Sequence, residues 1–170
     1  MDTLVGKRLQ LYKLTDRDGY TMRDTNPTFW EVGTVHTKPS VNFPELCTDQ
    51  VFHAFIDPII AVLLSHTCVK FDINTMRLFE AEGVVVAEEW RWSKVGVFEL
   101  KITKELTLPT KEELLTFIGG VNTCKCSLCI ENLERLNTRE NIPYSCVVAA
   151  LELMLDSSPR KLVTPKELTV

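Results

Sequence analysis

Short stretches of alternating apolar and polar residues mark the N-terminal part of the chain. In residues 8–15, RLQLYKLT, one face carries Leu9, Leu11 and Lys13, and this alternation predicts a first β-strand. The Asp-Arg-Asp-Gly sequence that follows is typical of a turn. Residues 20–22 are therefore expected to return as the second half of a hairpin.

Further strands are predicted on both sides of a proline-containing loop. Residues 29–36 form a second apolar stretch, in which Gly33 favours a bulge or a close backbone approach. Residues 38–45 hold two prolines and predict an irregular loop. Later in the chain, residues 76–87 are strand-like, and residues 98–108 show the clearest alternation of a half-buried antiparallel strand.

A strand that runs directly into a helix occupies the centre of the pattern, in residues 46–65. The strand part is β-branched and aromatic, and Asp57 followed by Pro58 is a typical helix start, because the carboxylate can cap free N–H groups. Apolar residues then recur at helical spacing, so a helix over 58–65 is predicted to pack on the sheet.

The pattern changes to helical periodicity after Pro109. Residues 110–156 contain a capping-box pattern and three helical segments, and residues 157–170 are expected to form a flexible tail. We therefore predict an α+β fold, with a mostly antiparallel twisted sheet in residues 1–109, one packed central helix and two or three C-terminal helices. All of these elements are assigned to one domain.

Composition narrows the function classes. The chain has 170 residues, a formal net charge of -4 and a pI near 5.4, which makes direct binding of nucleic acid unfavourable. No apolar run reaches the length of about 18 residues that a membrane span needs, and the N-terminus lacks the apolar core of a signal peptide. A soluble, cytoplasmic protein without membrane contact is expected, with its six cysteines as reduced thiols.

Candidate catalytic residues are few, since the common nucleotide-binding and hydrolase motifs do not occur. His53 lies in the central strand and is a candidate acid or base. An enzyme would need it in one cleft with Tyr12 and a glutamate such as Glu80. The alternative interpretation of His53 is a half-buried sheet residue that is hydrogen-bonded to a turn.

A tryptophan-rich segment is the candidate partner-binding surface. Trp90 and Trp92 flank Arg91 and precede Lys94, and two tryptophans at this spacing would project from the same face of a strand. Such residues are typical of interface anchors, and packing in the core under the helices is the alternative that the pattern slightly favours.

A cysteine cluster is the candidate metal site. Cys124, Cys126 and Cys129 lie within six residues, and Cys146 is a candidate fourth ligand for a tetrahedral zinc ion. A second CxxC or CxxH pair is missing, so simple packing of these cysteines in a helix is the alternative. No other cofactor is indicated.

Four segments together carry a family resemblance, namely LYKLTDRDGYT, WEVGTVH, LCTDQVFHAFIDPIIAVLL and LFEAEG. They resemble a family of small proteins encoded by bacteriophages and bacteria, over roughly residues 8–108. This resemblance implies a phage-type origin and a common fold, without a mechanism. The element order is also similar to the split sheet of ADP-ribosyltransferases, although a catalytic glutamate motif is missing and only Glu99 or Glu105 is a candidate.

The favoured hypothesis is a non-enzymatic phage accessory protein in the host cytoplasm that binds a host protein, such as a component of a defence system. An ADP-ribosyltransferase-like or other nucleotide-handling enzyme with a cleft near His53 is the first alternative. A zinc-stabilised interaction module is the second.

Overall fold

The computed structural model describes residues 3–62, 71, 75–89, 94–110 and 166–169. In this part of the chain a short helix covers residues 58–62. The strands are β1 (Arg8–Thr15), β2 (Tyr20–Thr21), β3 (Thr28–Phe29), β4 (Val35–Thr37), β5 (Phe52–Phe55), β6 (Arg77–Glu88), β7 (Lys94–Val97) and β8 (Glu99–Leu106).

Six of these strands form an antiparallel sheet that closes on itself. Their order is β1-β5-β7-β6-β8-β4, and an additional pairing of β1 with β6 makes a small barrel of β1, β5, β7 and β6. All eight residues of β1 pair with β6, from Arg8 opposite Val84 to Thr15 opposite Arg77. The remaining strands, β2 and β3, form a separate two-stranded sheet.

The predicted α+β fold class is wrong, because the described residues are 45% strand and 5% helix and contain one short helix. The physical reason is the closure of the sheet, which buries its apolar inner face against itself and needs no layer of helices for that purpose. Most of the predicted helical region 110–156 lies outside the described residues. Within the predicted tail, residues 166–168 pair with the edge of β1, where Glu167 lies opposite Leu9.

Inward-facing residues of the six-stranded sheet make most of the hydrophobic core, and strand alternation explains which strand residues these are. On β8, Leu100 and Ile102 are fully buried whereas Glu99 and Lys101 are exposed, which confirms the predicted alternation of this strand. The core cluster consists of Leu9, Leu11, Trp30, Ala54, Ile56, Phe79, Ala81, Val85, Val95, Val97, Leu100 and Ile102.

The long strand β6 pairs with β1, β7 and β8, and this requires a close approach of two backbones. A Cβ atom added at Gly83 would lie 2.7 Å from the carbonyl oxygen of Glu99. A glycine is therefore needed where β6 passes the junction between the end of β7 and the start of β8.

Two predictions for residues 16–37 are wrong. Residues 20 and 21 pair with β3 and do not continue as a strand beside β1, although the N–H of Asp16, just after β1, donates to Tyr20 O. Residues 29–36 are not one strand but two, separated by a turn in which the N–H of Thr34 donates to Glu31 O. Gly33 has a φ of +92°, a left-handed conformation that ends the extended stretch.

The predicted helix start after β5 is confirmed. Oδ1 of Asp57 accepts hydrogen bonds from the N–H groups of Ile59 at 2.8 Å and Ile60 at 3.2 Å. Ile60, Ala61 and Val62 are buried, so the helix presents its apolar side to the protein interior.

Candidate functional site

Three lysines surround His53, and we call Lys13, Lys38 and Lys94 the lysine cluster. Lys13 comes from β1 and Lys94 from β7, on the two strands that pair with β5 and its His53. Lys38 opens the loop of residues 38–51, which joins β4 to β5 and passes over this region. Three separate parts of the sequence therefore place positive charges near His53.

Lys13 lies inside the barrel. It shares the inner face of β1 with Leu9 and Leu11, and its side chain is almost completely buried, with 8% relative exposure. Its Nζ donates to the backbone oxygen of His53 at 2.6 Å and lies 5.3 Å from the ring centre of Trp30. An ammonium group in this position has an aromatic ring and one carbonyl as partners.

Lys38 is only partly buried and lies closer to the protein surface than Lys13. Its Nζ donates to Asp49 O at 2.6 Å and lies 4.7 Å from the ring centre of Phe52. The Phe52 ring meets the buried Trp30 ring edge-on, with 5.1 Å between centroids. Lys13 and Lys38 thus lie over two adjacent aromatic rings.

Lys94 lies on the other side of β5, next to Cys47. Its neighbour Val95 points into the core, so alternation places Lys94 on the outer face of β7. It is buried at 6% exposure, and its Nζ lies 3.0 Å from Sγ of Cys47. Cys47 is exposed, has a left-handed φ of +61°, and donates its backbone N–H to Nε2 of His53 at 2.8 Å.

Burial and mutual repulsion set the protonation of the site. Burial, followed by the charges of Lys38 and Lys94, lowers the pKa of Lys13 to about 7. Burial and the three lysines lower the pKa of His53 to about 3, so its ring is neutral near pH 7. Because Nε2 accepts the N–H of Cys47, the ring proton lies on Nδ1.

None of the three lysines forms an ion pair within the part of the chain that the structure describes. This is unusual, since buried charges in proteins are normally paired. Arginine and lysine residues elsewhere do find carboxylates, as Arg77 does with Glu105 at 2.8 Å and Arg8 with Glu82 at 2.9 Å. Within these residues, the positive charge of the cluster therefore has no carboxylate at ion-pair distance.

An exposed apolar segment lies in the same loop. Phe43 is 88% exposed and Val41 is 37% exposed, both between Lys38 and Cys47 in sequence. Both side chains are therefore accessible to another molecule.

The predicted catalytic set is only partly brought together. Tyr12 and Glu80 are cross-strand neighbours on β1 and β6. His53 bonds to Cys47, Tyr12 bonds to Gln10, and Glu80 contacts Thr103. No hydrogen bond joins any two of these three side chains in the described residues, and His53 has the half-buried role that was its alternative interpretation.

The predicted partner-binding segment is described only at Lys94, which is buried against Cys47 instead of standing on an exposed face. Trp90, Arg91 and Trp92 lie outside the described residues. The predicted zinc ligands Cys124, Cys126, Cys129 and Cys146 also lie outside them, and the described part contains no group of three or more residues suited to hold a metal.

None of the protein-family models, curated proteins or solved structures compared with this chain matches it. Among the described helical residues, no segment combines the length and the apolar character needed to cross a membrane.

Proposed function

We propose that this protein acts by binding a partner protein, and that the 38–51 loop, with Lys38 and Phe43, is its contact surface. The observation that carries this function is that Lys38 is only partly buried and forms no ion pair in the described residues, while Phe43 of the same loop is exposed. A carboxylate from a partner would lower the electrostatic energy of the site.

The charge of the whole chain strengthens this choice. With 23 acidic and 19 basic residues, the protein has a net negative charge, and the described carboxylates that form ion pairs, those of Asp16, Asp18, Glu82 and Glu105, pair with residues outside the cluster. An isolated positive site on an acidic protein gives orientation and selectivity to an acidic partner, because the remaining surface repels it.

The exposed apolar residues favour a protein over a small anion as the ligand. Phe43 is the most exposed of the large apolar side chains in the described residues. A partner segment that combines an acidic side chain with an apolar contact would engage both Lys38 and Phe43. Aromatic residues and a polar rim are typical of such interfaces.

A bacterial host protein is the proposed partner class, on the basis of the sequence resemblance to phage-encoded proteins. A component of a defence system is the proposed target within that class. The enzyme alternative gains nothing from His53, because a ring with a pKa of about 3 and an occupied Nε2 is a poor general base near pH 7.

The test is a comparison of three tagged proteins in a bacterial lysate: the wild type, Lys38→Glu and Lys104→Glu. Lys104 is an exposed residue of β8 that forms no ion pair in the described part of the chain, so it is a matched control for charge reversal. We expect the wild type and Lys104→Glu to capture the same protein in stoichiometric amount. Lys38→Glu should lose most of it.

The captured protein is then purified and its dissociation constant measured by calorimetry with each variant. A charge reversal on the partner that restores binding to Lys38→Glu would establish the acidic contact. Equal capture by all three proteins would contradict the proposed surface, and a lysate without any stoichiometric partner would contradict the binding function.

A further inference from the structure

Lys13 is a buried amine whose surroundings suit a neutral nitrogen better than a charged one. An ammonium group has three N–H donors, and the described contacts of Lys13 supply one acceptor, His53 O at 2.6 Å. Its other described contact is the Trp30 ring, whose centre lies 5.3 Å from Nζ. No carboxylate of the described residues lies within ion-pair distance.

We propose that Lys13 is a carbamate site, at which the amine reversibly binds carbon dioxide next to Lys38. This inference concerns covalent modification inside the barrel and does not depend on the proposed partner. Carbon dioxide suits the location because it is small and uncharged, and it can therefore reach an amine that lies among apolar and aromatic side chains.

The reaction balances without any oxidant or cofactor. The lone pair of the neutral amine attacks the carbon of CO₂, an N–C bond forms, and one C–O double bond opens to give a carboxylate. One proton leaves the nitrogen for solvent, so R–NH₂ and CO₂ give R–NH–COO⁻ and H⁺. A protonated amine has no lone pair and does not react.

The product fits the contacts that Lys13 already makes. The carbamate nitrogen keeps one N–H, which can continue to donate to His53 O. The new carboxylate supplies a negative charge that the cluster lacks among the described residues, and Lys38 is the lysine whose charge acts most strongly on Lys13. The cluster then holds one negative and two positive charges in place of three positive ones.

The protonation of Lys13 supports this assignment. Its pKa is lowered to about 7, so about half of the Lys13 amines are neutral and reactive at that pH. An ordinary lysine, with a pKa of about 10.4, is almost fully protonated under the same conditions.

The experiment is ¹³C NMR of the full-length protein in ¹³C-labelled bicarbonate, with Lys13→Arg and Lys104→Arg as variants. We expect a protein-bound carbonyl signal in the wild type and in Lys104→Arg, and its loss in Lys13→Arg. An arginine keeps the positive charge but has no free amine at neutral pH. The chain's α-amino group can also form a carbamate, and its signal should persist in all three proteins.

A second measurement protects the test against misfolding of Lys13→Arg. Alkylation of the carboxylate in the labelled wild-type protein, followed by peptide mapping, locates the modified lysine directly. The Lys13 signal should rise with pH around 7 and not around 10. Identical spectra for the wild type and Lys13→Arg, or a label that maps to other lysines only, would overturn the carbamate site.

Discussion

The backbone N–H of Cys47 lies 2.8 Å from Nε2 of His53 and donates its hydrogen bond to the ring nitrogen that a general base would use. This bond fixes the 38–51 loop to β5 through a neutral imidazole. Because Lys94 holds the thiol of the same cysteine at 3.0 Å, the loop is attached at two atoms of one residue. His53 therefore has a structural role, because it holds the 38–51 loop beside the lysine cluster.

We predict that His53 stays neutral, with its proton on Nδ1, between pH 5 and pH 8. Its folded pKa of about 3 lies below the value of about 6.5 expected for the unfolded chain, so the unfolded state takes up the proton first. Stability should therefore fall as the pH is lowered from 6.5 toward 3. Two-dimensional ¹H–¹⁵N NMR of the imidazoles, assigned with His53→Gln, reports the tautomer. A ring that titrates near 6.5 would contradict the structure.

The buried amine of Lys13 should make the free energy of unfolding depend on pH above pH 7. Its folded pKa is about 7 and its unfolded pKa about 10.5, so the unfolded chain binds more protons between these values. The free energy of unfolding should increase from pH 7 to pH 9, with a slope of at most about 1.4 kcal/mol per pH unit from this group.

Urea unfolding at pH 7, 8 and 9 in CO₂-free buffer with a reductant measures this slope. Lys13→Met should lose most of the increase, whereas Lys104→Met should keep it, because Lys104 is exposed. The comparison uses the difference between variants, which removes the contributions of other titrating groups. Parallel pH dependences for the wild type and Lys13→Met would show that Lys13 titrates as an ordinary lysine.

Gly83 is the position at which we expect a small substitution to damage the barrel most directly. An alanine Cβ would lie 2.7 Å from the backbone oxygen of Glu99 and 3.2 Å from Cγ1 of Val97, and a backbone atom cannot rotate away. We predict that Gly83→Ala lowers the free energy of unfolding by about 1–3 kcal/mol. Val84→Ala, at a neighbouring residue with 41% exposure, should change it much less. Equal urea midpoints for the two variants would contradict this close approach.

Local patterns in the sequence predict individual elements of this fold well. Residues 8–15 were predicted as a strand from alternation alone, and β1 covers the same residues. The helix cap at Asp57 was predicted from two adjacent residues, an aspartate followed by Pro58. Such features depend on neighbours along the chain, and the sequence shows these neighbours directly.

Closure of the barrel could not be predicted in the same way. It depends on pairing between β1 and β6, whose residues Arg8 and Val84 are far apart in sequence, and no local pattern specifies that contact. The site could not be predicted either. Its residues come together only when the barrel closes, and Lys38 and Cys47 lie in a loop whose sequence has no periodicity. One signal was present, because Lys13 shares the alternating face of Leu9 and Leu11, which placed a lysine on the core side of β1.

The hydrogen bond from Nε1 of Trp30 to Oγ1 of Thr21, at 2.9 Å, gives a last prediction about the floor of the site. Trp30 is completely buried, and its ring contacts the Phe52 ring and the Nζ atom of Lys13. Thr21→Val keeps the shape of the side chain but removes the acceptor, so the indole N–H is left buried without a partner. We expect a loss of about 1–3 kcal/mol in the free energy of unfolding.

Thr21→Ser is the matched control, because it keeps the hydroxyl oxygen and removes only a methyl group. Urea unfolding of both variants separates the hydrogen bond from simple packing. If the bond orients Trp30 under the lysine cluster, Thr21→Val should also speed hydrogen exchange at the indole N–H, whereas Thr21→Ser should not. A Thr21→Val protein as stable as Thr21→Ser would mean that Trp30 is held by its ring contacts alone.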